Sequence, residues 1–153
     1  MTARQRLAEL GLDLPEPAVP VATYVPFRRD GDVVYLSGQG PRKAGGGHHV
    51  GKVGAGVSVE EAREHARLTG LSLLAVAETV TGSLDDIEVL KVFGMVNADP
   101  GFARHPEVIN GCSDLFVAAL GDAGRHARSA VGMGSLPNGM TVEIEAIVRI
   151  RPK

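Results

Sequence analysis

The sequence predicts an α+β domain in which two long helices cover one face of a mixed sheet, in the order β-β-α-β-α-β-β. Three observations predict it. Five stretches rich in β-branched, aromatic and other apolar residues are separated by only two long stretches of helical apolar spacing. Gly82 and Gly121 stand where those helical stretches should stop. The last segment, VEIEAIVRI (142–150), alternates strictly, so Val142, Ile144, Ala146, Val148 and Ile150 form one apolar row suited to lie under helices.

Each element has its own signal. ARQRLAEL (3–10) has the pattern of a short amphipathic helix ended by Gly11. Pro15, Pro17 and Pro20 remove backbone donors and force an extended path, so residues 1–20 are expected to form an N-terminal arm lying on the domain, outside its core. TYVPF (23–27) and VVYLS (33–37) flank RRDGD, whose Asp-Gly is a hairpin signal. Eight glycines between residues 38 and 56 indicate a turning or mobile loop. Ser58 followed by Glu61 is a capping-box pattern, after which Val59, Ala62, Ala66, Leu73, Ala77 and Val80 recur near helical spacing. IEVLKVFGMVNA (87–98) reads as a strand, and Pro106 suits the first turn of the second helix. Residues 125–150 then read as two strands joined by a turn.

Composition narrows the function. A chain of 153 residues is long enough for one domain with a sizeable core. The net charge of −2 carries no basic stripe, and six Phe and Tyr with no Trp are too few for a base-stacking surface, which argues against nucleic-acid binding. No apolar run is long enough to span a bilayer, and the N-terminus lacks a signal peptide's apolar stretch. A single cysteine, Cys112, suits a reducing compartment, so a cytoplasmic protein is expected. Adjacent His48 and His49, without further ligands at suitable spacing, read as a solvated loop rather than a metal site.

The closing strands raise the chemical question, because Arg128 and Glu143 interrupt small and apolar runs. Alternation puts Glu143, Glu145, Ile147 and Arg149 on the face away from the helices. A hairpin would place Arg128, Ala130, Gly132 and Gly134 on that same face, with Val131 and Met133 in the apolar row. So bare a face is expected to meet another subunit, and gaps left by small residues would become a pocket.

YLSGQGP (35–41), VINGCSDLF (108–116) and RHARSAVGMGSLPNGMTVEIEAI (125–147) resemble the RidA/YjgF family of reactive-intermediate deaminases, also labelled endoribonuclease L-PSP. The resemblance covers about residues 21–151, and the N-terminal arm and long glycine loop suggest a longer bacterial subgroup. It implies a chorismate-mutase-like fold, a homotrimer with a barrel-like centre and pockets between subunits. It also implies cofactor-free, metal-free hydrolysis of 2-imino or 2-enamino acids to 2-keto acids and ammonia.

By position, Arg128 matches the arginine that clamps the substrate carboxylate, and Glu143 the glutamate that holds the attacking water. Tyr24, Ser37, Gly38 and Asn110 match substrate-binding positions; Ala130 stands where the family often has cysteine, leaving backbone groups to line the site. A planar guanidinium suits a carboxylate, and a desolvated carboxylate suits a water-activating base. Structural ion pairs are the competing explanation for both residues. Rival functions are a non-catalytic binder of small carboxylates, an endoribonuclease, and a chorismate-mutase-like rearrangement, which would need a second cation.

Overall fold

A computed structural model describes residues 1–152. Five strands form one sheet in the order β1-β2-β7-β5-β6: β1 Phe27–Asp30, β2 Val33–Gln39, β5 Ile87–Asn97, β6 Ala127–Met133 and β7 Val142–Ile150. Two short parallel strands, β3 Lys52–Val53 and β4 Gly56–Val57, lie in the glycine-rich segment. Helices α2 (Val59–Thr81) and α3 (His105–Leu120) cover one sheet face, and the short α1 (Ala3–Glu9) packs beside α3. The α+β class and both long helices agree with the sequence. Among the described residues no helix is long and apolar enough to cross a membrane.

The local signals act as expected at the helix ends. Ser58 Oγ accepts from the Glu61 N–H at 3.1 Å, and Gly82 closes α2 in the left-handed conformation, with φ 82°. The β7 row is also as read: Val142, Ile144, Ala146 and Val148 are buried under the helices.

Three expectations are corrected. First, α1 belongs to the core. Ala3 and Leu7 are 1% exposed, and burying a leucine of this kind contributes about 2 kcal/mol. The Ala3 N–H donates to Asp85 Oδ1 at 2.8 Å, fastening the helix start to the body of the domain. Second, β1 begins at Phe27 rather than Thr23. Pro26 has no N–H for a ladder, and Tyr24 falls in the bend before it. The hairpin turn is Gly31-Asp32, between the paired Asp30 and Val33.

Third, residues 125–150 are not a hairpin. α3 carries the chain from β5 to β6 as a crossover, so β6 pairs with β5 in parallel, while β7 inserts between β2 and β5. The register Val92↔Arg128, Gly94↔Ala130 and Val96↔Gly132 turns Arg128, Ala130 and Gly132 toward the helices. Ser129, Val131 and Met133 take the open face instead, together with Phe93, Met95 and Glu143. The small residues make room for α3. A Cβ on Gly94 would sit 2.6 Å from Ile109, and one on Gly132 2.5 Å from His105 Nε2.

Candidate functional site

The predicted residues fall into two groups on opposite faces of the sheet. Glu143, Ser37, Gly38 and Tyr24 line a cavity of about 750 Å³, walled also by residues 18–22 and by Arg42, His48 and Met140. A β-bulge builds its floor: Leu36 pairs with Ala146 and Gln39 with Ile144, leaving Ser37 and Gly38 opposite Glu145. Gly38 lies against the Glu143 carboxylate, since a Cβ there would be 3.2 Å from its Cδ.

Glu143 is half-buried and its carboxylate makes no ion pair or hydrogen bond with another described residue. Burial, reinforced by the neighbouring Glu145 charge, raises its pKa above the ordinary carboxylate range. Within the chain Arg149 pairs with Glu88 at 2.7 Å and not with Glu143.

Ser37 is already committed. Its hydroxyl donates to the Val25 carbonyl at 2.6 Å and its N–H to the Pro26 carbonyl at 2.9 Å. It therefore braces the segment that carries Tyr24 and cannot offer that N–H to a substrate. Tyr24 is half-exposed at the cavity wall.

Arg128 and Asn110 form the second group, at the outer edge of the sheet. Arg128 Nη1 donates to Asn110 Oδ1 at 2.7 Å and to Ser113 Oγ at 3.1 Å. Asn110 and Ser113 are three residues apart on α3, one turn of the same face. Behind them His126 Nδ1 lies 2.6 Å from the Gly124 carbonyl, which can only accept, so Nδ1 carries the proton. Nε2 then accepts from the Ser113 hydroxyl at 2.8 Å, which orients that oxygen to accept from Arg128. Burial lowers the His126 pKa, which favours this neutral form.

Arg128 is thus aimed by neutral groups, and no described carboxylate lies within ion-pairing range of it. A fixed, uncompensated guanidinium suits an anion. Ala130 sits two residues along the same side of β6, opposite Gly94 and partly packed on the core, and lies outside the Glu143 cavity.

Within one chain Arg128 and Glu143 do not meet. They stand opposite Val92 and Met95 of β5, from its two sides, so their backbones are roughly 14 Å apart. Their side chains leave opposite faces.

Sequence reasoning missed Ser113, His126 and Arg42, and set His48 aside as loop. The spacing of Asn110 and Ser113 on one helix face was a usable signal for the first. His48 and His49 are not a solvated loop: both are half-buried, and His49 stacks on His65 with ring centroids 4.2 Å apart. Burial also pushes the Cys112 thiol far above its usual range, which removes it as a nucleophile. Among the described residues no group of three His, Cys, Asp or Glu could hold a metal ion.

A mixed sheet carrying two long helices on one face, with a carboxylate in a bulge-floored cavity on the other, defines a chorismate-mutase-like α+β protein. The chain belongs to the family described as "YjgF/chorismate mutase-like, putative endoribonuclease", whose model matches residues 4–142. It is 38% identical over 146 residues to Protein TCP17 of Trypanosoma cruzi, covering 94% of this chain and 91% of that one. The crystal structure of the protein Atu1372, of unknown function, from Agrobacterium tumefaciens is 42% identical. It superposes with a TM-score of 0.90 over 99% of this chain and 93% of its own. RidA from the Antarctic bacterium Psychrobacter sp. is 30% identical, with a TM-score of 0.62 over 88% of this chain and 94% of its own.

Proposed function

We propose that this protein hydrolyses reactive 2-imino and 2-enamino acids to 2-oxo acids and ammonia, without a cofactor, at pockets between the subunits of a cytoplasmic homotrimer. The observation that carries the reading is Glu143: a half-buried carboxylate with a raised pKa and no described partner, in a cavity of ligand size. Family membership and the RidA relative support it. The separation of the two charges supports the assembly part of the reading. The neighbouring subunit's Arg128 would supply the carboxylate clamp that this subunit's Arg128, on the wrong face, does not. The open sheet face, with exposed Tyr35 and Val131 and a shallow hollow lined by Phe93 and Ile147, is the surface for that contact.

In the reaction, the oxygen of water attacks C2 of the imine while Glu143 takes one of its protons. The C=N π pair moves to nitrogen, which takes that proton back from Glu143, giving a carbinolamine and restoring the carboxylate. The hydroxyl proton of that intermediate then passes by way of Glu143 to the amine, which leaves as ammonia as the C=O bond forms. General-base assistance of this kind contributes about 10²- to 10⁴-fold.

The test generates imines with an amino-acid oxidase, traps the survivors with semicarbazide, and follows their loss against pH. Glu143 must be ionised to act, so kcat/KM should rise with pH along a limb whose pKa lies above the ordinary glutamate range. Glu143→Gln should remove the limb and lower the rate at its upper end by about a hundredfold. A wild type that accelerates no imine overturns the reading, and a limb that survives in Glu143→Gln removes Glu143 as its source.

A further inference from the structure

Arg42 and His48 are cavity groups that this reaction leaves unused. They face each other across an isolated antiparallel bridge, which sends both side chains to the same side. Both line the wall shared by the Glu143 cavity and a second one of about 580 Å³ beneath residues 13–16. Arg42 Nη2 donates to the Glu16 carbonyl at 2.6 Å, which fixes the half-buried guanidinium with a neutral partner. A guanidinium has five N–H donors, so this bond leaves most of them available. No described carboxylate ion-pairs with Arg42.

The cavity that holds the base therefore also holds a cation of its own, besides any clamp a neighbouring subunit brings. At about 750 Å³ it is in the upper range for ligand cavities, more than a three-carbon acid needs. The acidic side chains in its lining, Glu143 and Glu145, would repel a second anionic group unless a cation met it.

We propose that Arg42, with His48 beside it, binds a second acidic group of the substrate, so that the preferred substrates are 2-imino dicarboxylates of the kind formed from acidic amino acids. The proposal rests on the deaminase reading, but binding tests it separately. Calorimetry would compare 2-oxoglutarate with 2-oxopentanoate, which has the same chain length and one carboxylate.

Wild type should bind the dicarboxylate at least about tenfold more tightly, the effect of one charged hydrogen bond. Arg42→Gln keeps a donor for the Glu16 carbonyl but removes the charge. It should abolish the preference and leave 2-oxopentanoate affinity within about twofold, while Arg42→Lys keeps most of the preference. The imines made from glutamate and norvaline should rank in the same order in the trapping assay.

Equal binding of the two oxo acids, no binding of either, or equal weakening of both by Arg42→Gln would overturn the proposal. If the preference and its loss in Arg42→Gln hold while neither imine is hydrolysed, the acidic subsite stands and the deaminase reading falls.

Discussion

Arg128→Met should lower kcat/KM for imino-acid hydrolysis by about a hundredfold or more. A guanidinium–carboxylate pair makes two charge-assisted hydrogen bonds, each worth about 1.5–3 kcal/mol, and methionine keeps the bulk while removing both. Lysine should rescue little. In the wild type, Nη1 is held by Asn110 and Ser113 and Nη2 makes a long 3.5 Å contact to the Pro106 carbonyl, while Nε and the other Nη2 N–H remain for substrate, and one ammonium cannot do both. Ser113→Ala should act through Arg128 and not by itself: it removes one of the two bonds that aim the guanidinium and leaves His126 Nε2 without its donor. The expected result is a rise in KM of about three- to tenfold with kcat little changed, the pattern of substrate binding weakened equally in ground and transition states. Steady-state kinetics on purified variants measures both. An Arg128→Met enzyme within about threefold of wild type would contradict the clamp.

Gly111→Ala should destabilise the fold by about 2 kcal/mol or more. Helices α2 and α3 cross there with backbone against side-chain space: a Cβ on Gly111 would lie 1.9 Å from the Arg63 carbonyl oxygen and 2.9 Å from its carbon. Backbone cannot rotate away as a side chain can, so the helices must separate and loosen the contacts of Cys112, Leu115 and Ala66 around the crossing. Overpacking costs about 1–3 kcal/mol, occasionally more, and a backbone contact this short belongs at or above the upper end. About 2 kcal/mol or more therefore remains after the gain of about 1 kcal/mol from replacing glycine in a helix. In a domain of this size the thermal midpoint should fall by about 5 °C or more. Gly45→Ala is the control, because nothing lies within 4 Å of a Cβ there and its φ is not positive. A midpoint unchanged in Gly111→Ala would contradict so close a crossing.

The sequence was most legible where the cause is local. Ser58 and Gly82 bound α2 because a hydroxyl cap and a left-handed glycine act within one turn. Alternation in 142–150 put Glu143 on the face away from the helices, since the side chains of one strand depend only on its own pleat. The face of β6 was not legible. Small and apolar residues at 127–133 fit either face, and the choice depends on whether β6 returns as a hairpin or follows a crossover, which the local sequence does not encode. That one topological choice moved Arg128 from Glu143's own face to the far side of the sheet. Leu7 was misjudged for a related reason: prolines at 15, 17 and 20 suggest a separate arm, yet nothing in them says where the preceding helix docks. Arg42 was invisible because the chain segments that wall its cavity, residues 18–22 and 137–145, are remote from it in sequence.

The central claim is that the working site needs Arg128 of one subunit and Glu143 of another. Mixing two dead variants tests it most directly. Arg128→Met and Glu143→Gln would be purified, dissociated together in mild denaturant, reassembled at equal amounts, and assayed for imine hydrolysis. In a ring of head-to-tail contacts, an intact site arises wherever a Glu143→Gln subunit donates its arginine to an Arg128→Met subunit, which occurs at about a quarter of the contacts. The account predicts recovery to about a quarter of the wild-type rate treated in the same way. Activity no higher than that of either variant alone, while remixed wild type regains its own, would contradict a site shared between subunits.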